Sequence, residues 1–594
     1  MTDEIKENEA ADGVTVTGET GTEQAAAAVK EPKHSGFSRT LNKFFHHIDR
    51  GGTLKGEVMA GLTVFFIAIC VLFMNVQVII NALGAGVLTE TAPEGPVNIA
   101  NATTIATMYV GAVIVAFIGS LVIGLVARLP FVQMSTMGLS SSMVSLLGVS
   151  GGLTYYNILF VSFLAAIVYA VLVSVPVVRK YVFDAVPAPV RKALPAAAGL
   201  IVMFSAAQQS GFVTAEYVAV GGSGAAVPVV TGGAEGITAI AFAAVIIAVA
   251  VYIVLRALRL RHPVFWSMTG GTLAFILIMI IANGTNASSP DSFVNFGRLW
   301  VMVGSQASET TPFGDSWFSY MGTGIGEVFS NFGRVFTEGT TFAEGVSAGS
   351  FVVGGILCYL FAGMYDAHAT LQATEEDINE KAEEAGKVDF DSEKGTRIAL
   401  MCNAGMNVIA PLFGMCGVTM SKTSVAGTRD SGKSGIVPVV AAIGFLVSLF
   451  VWVAPVLFAT TTYVAGSMND FNYNAYGNGG FIATFTGLSF GVADAVMVCV
   501  GASMLRSLKN VEFRDLTQSI PVIATLVGSF VFTNLAYGVA AGVFAYIVAQ
   551  LCSFRDPALG WLGSLKRNFL PDLLGIGIPT AVLCVLLILM LALA

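Results

Sequence analysis

Charge is what this chain has least of. Asp, Glu, Lys and Arg make up 11% of its 594 residues, where an ordinary soluble domain carries about 25%. Much of the formal net charge of −8 falls in two polar pieces, the tail 1–36 and an expected loop over 375–393, and neither carries the basic balance that nucleic acid would require. Cysteine is sparse as well. The seven cysteines are scattered in or beside apolar runs with no CxxC spacing, and the five histidines form no cluster. They read as small core residues, so neither a disulfide framework nor a metal site is expected. No basic start followed by an apolar run opens the chain, which argues against a secretory signal. Nor is there a nucleophile–base pair or a cofactor loop, so an enzyme is not expected and no cofactor is implied. Gly432-Lys433-Ser434 lacks the upstream glycine of a phosphate-binding loop and follows no strand. Strand-length alternation is weak, which argues against a membrane barrel.

What remains is apolar. With 55% hydrophobic residues, runs of about 20 recur, the length that crosses a hydrocarbon core as helix. The expected fold is an all-α polytopic membrane protein. Its expected organisation is a disordered acidic tail over 1–36, an amphipathic interfacial helix over 37–51 and a first seven-span repeat over 52–283. An extracytoplasmic insertion over 284–347, a second seven-span repeat over 348–551 and a linker with a further hydrophobic helix over 552–594 complete it. Lys and Arg sit in the connections 179–192, 255–262, 429–433 and 506–514, while 83–100, 210–235 and 459–479 contain none. That asymmetry places the N-terminus in the cytoplasm of a cell-membrane protein. An odd number of spans per half inverts the second half against the first, an arrangement that puts a transport site at the repeat interface.

Two features mark that interface. Asp366 lies within the apolar run that begins near Ser350, with His368, Thr370 and Gln372 close by. A carboxylate at the centre of a membrane helix costs about 2.5–3.5 kcal/mol and normally faces a cavity or a partner. Thr370, four residues on, shares its face. The second feature is a pair of short, Gly-, Ser- and Thr-rich segments, 130–142 (PFVQMSTMGLSSS) and 414–427 (GMCGVTMSKTSVAG), third in each half. Interrupted segments at matching positions are the best sequence pointer to a transporter site. Asn75 precedes Ser135 by 60 residues and Asp366 precedes Thr419 by 53, so polar residues recur at similar offsets. Lys422 reads two ways: as a cation at the site, paired with Asp366 or drawing an anion, or as a snorkelling surface residue. Asn403, Asn407, Gln208 and Gln209 read as helix-bridging groups, and Gly538 and Gly542 as close packing.

Four stretches carry a family resemblance: 56–75 (GEVMAGLTVFFIAICVLFMN), 193–212 (ALPAAAGLIVMFSAAQQSGF), 365–371 (YDAHATL) and 515–546 (DLTQSIPVIATLVGSFVFTNLAYGVAAGVFAY). In that order the chain resembles the nucleobase–cation symporter superfamily, in its adenine/guanine/hypoxanthine permease branch. The resemblance implies a 14-span, 7+7 inverted-repeat transporter with core and gate domains. It also implies strand-plus-helix segments flanking the substrate, and Asp366 as the residue that holds the base or carries a proton. The branch's acidic residue in the tenth span is Thr423 here, preceded by Lys422. Its third-span motif has become Thr136–Met143 (TMGLSSSM).

The expected function is therefore secondary active import of a nucleobase or related purine-like heterocycle, by proton symport through Asp366. Asp366, Thr370, Thr419, Lys422, Thr423, Ser140, Ser141 and Asn75 are the expected binding residues. The expected partners are the substrate, a proton and the lipid bilayer, with a homodimer as the candidate assembly. The rival readings are a small-anion carrier of the same fold and a non-transporting membrane sensor.

Overall fold

The computed structural model describes residues 36–84, 102–149, 155–177, 185–209, 237–260, 262–283, 317–332, 347–384, 392–449, 489–553 and 578–593. Strands at 213–220, 223–230 and 459–461 and the single residues 179 and 182 are also described. The acidic tail and most of the 284–347 insertion lie outside these residues. Helices dominate. In chain order they begin with α1 (Gly36–Phe45), α2 (Leu54–Gly84) and α3 (Ala102–Val122), then strand β1 (Gln133–Met134), α4 (Met137–Val149), α5 (Tyr155–Ser174) and α6 (Ala188–Gln209). A hairpin of β2 (Val213–Val220) and β3 (Ser223–Val230) precedes α7 (Ile237–Ala257), α8 (Pro263–Asn283) and α9 (Trp317–Asn331). Next come α10 (Ala348–Glu384), α11 (Ser392–Ile409), β4 (Thr419–Met420), α12 (Thr423–Asp430) and α13 (Ile436–Ser448). The series closes with β5 (Ala459–Thr461), β6 (Ser489–Gly491), α14 (Val492–Met504), α15 (Leu516–Phe532), α16 (Leu535–Ser553) and α17 (Ile578–Leu593).

Two expectations need correction. The acidic stretch 375–393, read as a loop, is helical at both ends: α10 continues to Glu384 and α11 starts at Ser392. Its run of Glu, Ala and Lys is made of strong helix formers with no glycine before Gly386, so the helix outlasts its apolar part. The 210–235 loop contains the antiparallel pair β2–β3, with Val213 opposite Val230 and Val220 opposite Ser223. Valine-rich runs flanking a Gly-Gly dipeptide favour that outcome. A helix, α9, stands inside the 284–347 stretch. The protein is thus mostly helical rather than wholly so.

Among the described residues, four helices are long and apolar enough to cross a membrane: Thr107–Ala127, Tyr155–Ser174, Ala188–Ala207 and Ala348–Glu375. The helices pack as two groups. In one, α2, α3, α4, α5, α9, α10, α11, α12 and α13 pack on one another. In the other, α6 packs on α14 and α15, α7 on α8, and α15 on α16. Glycines set these distances. A Cβ on Gly538 would meet Ser529 Oγ at 1.8 Å, and one on Gly542 would meet Thr525 Oγ1 at 2.0 Å. Small residues are what let membrane helices approach so closely.

The short strands β1 and β4 join the two halves of the chain. They pair antiparallel, Gln133 opposite Met420 and Met134 opposite Thr419. Beyond the pair, the Ser421 amide donates to the Val132 carbonyl at 2.8 Å and the Val132 amide to Ser424 Oγ at 3.0 Å. Each strand follows a helix that stops in a left-handed residue. The π turn Ile123–Ala127 after α3 ends at Arg128, and the 3₁₀ turn Ala410–Phe413 after α11 ends at Gly414 (φ 82°). Gly417, at φ 135°, gives the backbone a second conformation that side-chain-bearing residues rarely adopt.

Candidate functional site

Backbone released from a helix inside a membrane protein must find partners within the protein. Both strands do so through a side chain of the preceding helix. Ser120 of α3 accepts from the Gln133 amide at 3.1 Å and donates to the Gln133 carbonyl at 3.3 Å. Asn407 of α11 accepts from the Val418 amide at 3.0 Å, while its Nδ2 donates to the Val418 carbonyl. Asn75 of α2 fixes the turn after β1, its Nδ2 donating to the Ser135 carbonyl at 3.0 Å.

Asp366 reaches from α10 into this crossing. Its side chain is 3% exposed, and one oxygen, Oδ1, forms an ion pair with the Lys422 ammonium. The other, Oδ2, accepts from Thr136 Oγ1 and from Thr419 Oγ1, each at 2.9 Å. One carboxylate therefore ties α10 to both interrupted segments. Lys422 does not snorkel. It is 5% exposed and stands at the start of α12. A buried charge needs a partner and further hydrogen bonds, and Asp366 has both.

Beside this cluster lies a small, partly open cavity of about 50 Å³. It is smaller than an ordinary small-molecule site, so a ligand would enter it only with the two walls further apart. Asn75, Thr136, Ser421, Lys422 and Thr423 supply polar groups from the first packing group, with Val71 and Met134 between them. Ile201, Val202, Ser205 and Ala206 of α6 and Met497 of α14 form the facing wall. The cavity thus opens between the two packing groups.

The expected binding residues divide. Asn75, Lys422 and Thr423 line the cavity, and Thr419 sits one bond behind it on Asp366. Thr370 donates to the carbonyl oxygen of Asp366 at 3.0 Å, so its hydroxyl serves its own helix and does not line the cavity. Ser140 is buried and Ser141 donates to the Gly138 carbonyl at 3.0 Å; neither lines the cavity. Thr136, Ser205 and Ser421 were not singled out from sequence. Thr136 and Ser421 were within reach, since they lie in the two interrupted segments. Ser205 had only a helical-face signal, its spacing from Ile201 and Val202. Among the described residues no group of three or more His, Cys, Asp or Glu side chains could hold a metal.

These observations define the class: a mostly helical, multi-pass membrane transporter with a site where two interrupted segments meet. No family model matches the chain. Its curated relatives are permeases rather than enzymes. It is 20% identical to the guanine/hypoxanthine permease PbuO of Bacillus subtilis over 511 residues, covering 85% of this chain and 94% of that one. To PbuG of the same organism, also a guanine/hypoxanthine permease, it is 21% identical over 86% of this chain and 94% of the relative. With the adenine permease AdeQ of Escherichia coli it shares 21% identity over 87% of this chain and 92% of the relative. The resemblance to the purine permease branch thus extends over most of the chain. Among solved structures, SLC26A9 aligns with a TM-score of 0.39 at 12% identity, covering 84% of this chain and 66% of that one. The transmembrane domain of the bicarbonate transporter BicA aligns with a TM-score of 0.37 at 13% identity, covering 84% and 97%.

Proposed function

We propose that this chain is a secondary active permease that imports a nucleobase or related purine-like heterocycle by proton symport. The observation that carries the reading is the cavity itself. It is lined by residues of α2, β1, α6, α14 and the start of α12, and linked through Lys422 and Thr136 to a buried carboxylate. Curated purine permeases that align over most of the chain supply the substrate class. The same reading includes fourteen spans in two inverted sets of seven, a cytoplasmic N-terminus in the cell membrane, and a homodimer as the assembly.

The first packing group acts as core and the second as gate, with the cavity exposed to either side as the two rock past each other. Asp366 is the coupling group. A proton on its carboxyl removes the partner of Lys422 and leaves the ammonium to the ligand; loss of the proton re-forms the ion pair. Pairing also weighs against a small-anion carrier, because Lys422, the one cation that lines the cavity among the described residues, is held by Asp366 while that carboxyl is ionised.

Uptake of radiolabelled hypoxanthine into proteoliposomes under an imposed pH gradient tests this. Accumulation is expected to collapse on addition of an uncoupler and to be lost in Asp366→Asn. Normal, gradient-driven uptake by Asp366→Asn across pH 5–8 would remove the coupling role. Uptake of sulfate or bicarbonate with no uptake of any base would instead favour the anion carrier.

A further inference from the structure

The last helix, α17, touches both packing groups: it packs on α10 of the first and on α16 of the second. Leu583, Leu587 and Met590 recur at helical spacing and form its buried stripe. Val582, Val585 and Leu591, on its other sides, are more than half exposed. Its two ends are fixed to different groups. At the start, Thr580 Oγ1 donates at 2.8 Å to the carbonyl of Ala185, just before α6. At the other end it lies so close to α10 that a Cβ on Gly354 would meet the Leu593 carbonyl oxygen at 2.6 Å and the Leu593 Cβ at 2.9 Å.

We infer that α17 is a further membrane span that straps the second group to the first and holds the cavity walls together. The inference rests on the permease reading above for the motion it restrains. The positions of the two anchors support a crossing. Ala185 belongs to the basic connection 179–192, which the charge asymmetry puts in the cytoplasm, and Gly354 lies near the start of α10, on the opposite face. The 16 residues of α17 reach about 24 Å as helix, most of a hydrocarbon core of about 30 Å. A slide of one group past the other moves Ala185 relative to Gly354, and a helix seated on both resists it. Contacts made in one conformation and lost in another favour the first. Here the favoured conformation is the one whose cavity, at about 50 Å³, is too small for a heterocycle. Releasing either end of α17 therefore shifts the population toward open walls.

The test reads wall opening and sidedness, so neither part needs a transported substrate. Ser205→Cys, on the wall facing Lys422, reports opening through its rate of reaction with N-ethylmaleimide above that of the unaltered chain, and Ala206→Cys is a second reporter. In either background, Thr580→Val frees one end of α17 and Gly354→Val drives the other end off α10. Each is expected to speed labelling at least about fivefold, the equilibrium shift that one lost hydrogen bond gives. Ala594→Cys and Lys509→Cys, treated in cells with a membrane-impermeant maleimide, are expected to label from opposite sides of the membrane. Labelling of both from the same side overturns the span. A reporter rate left unchanged by either release variant overturns the strap, even where the melting temperature falls, since loss of ordinary packing would lower only the latter. Faster labelling in both variants of a chain that takes up no base upholds the strap and overturns the permease reading instead.

Discussion

Thr136 and Lys422 stand at equivalent places in two matching segments, each two residues past its strand and one residue before its helix. Both side chains reach Asp366, but one brings a hydroxyl and the other a full charge. The contrast continues along each helix. α4, after Thr136, is apolar apart from serines, and its Ser142 Oγ accepts from Asn534 Nδ2 of the second packing group at 2.9 Å. α12, after Lys422, ends in Arg429 and Asp430. Arg429 donates to the Ser503 carbonyl at 3.3 Å, and Asp430 Oδ2 meets His262 Nδ1 at 3.1 Å and Thr63 Oγ1 at 3.3 Å. The backbone plan is common to both segments; the charge is all in the second. The first segment supplies shape and a neutral tether, and the second supplies electrostatics at both of its ends.

The largest test of that asymmetry removes one partner of the central pair. Asp366→Ala leaves the Lys422 ammonium buried and unpaired, which costs on the order of 3–5 kcal/mol. Thermal unfolding in detergent is expected to shift down accordingly, with uptake lost. The double variant Asp366→Ala, Lys422→Met removes both charges and is expected to recover most of the stability but no transport. Failure of the double variant to recover stability would mean that the pair is not what Lys422 costs the fold. Thr136→Val, by contrast, removes one of two hydroxyls on Oδ2 and is expected to cost about 1–2 kcal/mol.

A smaller difference separates the two strand clamps. Asn407→Leu strips partners from both the amide and the carbonyl of Val418, and about 2–3 kcal/mol of destabilisation is expected. Ser120→Ala leaves Gln133 short of one hydroxyl that serves its amide and carbonyl in turn, at about 1–2 kcal/mol. Equal losses in the two variants would contradict an uneven division of polar contacts between the segments. The tethers to the second packing group follow the same order. Asp430→Asn, which ends a charged contact with His262, is expected to change uptake rate more than Asn534→Ala, which ends a neutral one. Initial-rate uptake under one fixed gradient compares them directly.

Some of this was legible from residues alone. Apolar run length announces membrane helices because hydrocarbon thickness sets it, and a carboxylate in such a run announces a site because its desolvation demands a reason. Gly, Ser and Thr crowded into 130–142 and 414–427 marked where helix would fail. The pairing of Lys422 with Asp366 was legible only as one of two open readings: periodicity on one helix could not decide whether the lysine meets a residue 56 positions away or snorkels. Ser205 stayed hidden because serine is an ordinary helix-bridging residue in membranes. Residues 375–384 were misread for a different reason. Polarity was taken to end the helix, when polarity ends only the span, and backbone propensity carried the helix on. For Thr370, sharing a face with Asp366 also put its hydroxyl over the preceding turn, where the main-chain carbonyl takes it.

The smallest expected effect concerns how helices begin. α12 starts at the cavity with no side-chain cap, whereas α15 starts with Asp515, which accepts from the Thr517 amide at 2.9 Å and the Thr517 hydroxyl at 2.7 Å. The Thr517 hydroxyl first, and then its amide, hold the Asp515 carboxyl below the usual carboxylate range. A depressed folded-state value means that the cap's contribution is complete above the unfolded value of about 4 and fades as pH falls through the folded value. Hydrogen exchange at Thr517 and Gln518, corrected for intrinsic rates, is therefore expected to show constant protection from pH 8 to about 5 and declining protection below about 4. Asparagine caps helices nearly as well as aspartate and does not titrate. Asp515→Asn should thus keep protection at neutral pH and flatten the acid decline. A decline that survives in Asp515→Asn would assign it to another group and leave the first turn of α15 no more dependent on a titrating cap than that of α12.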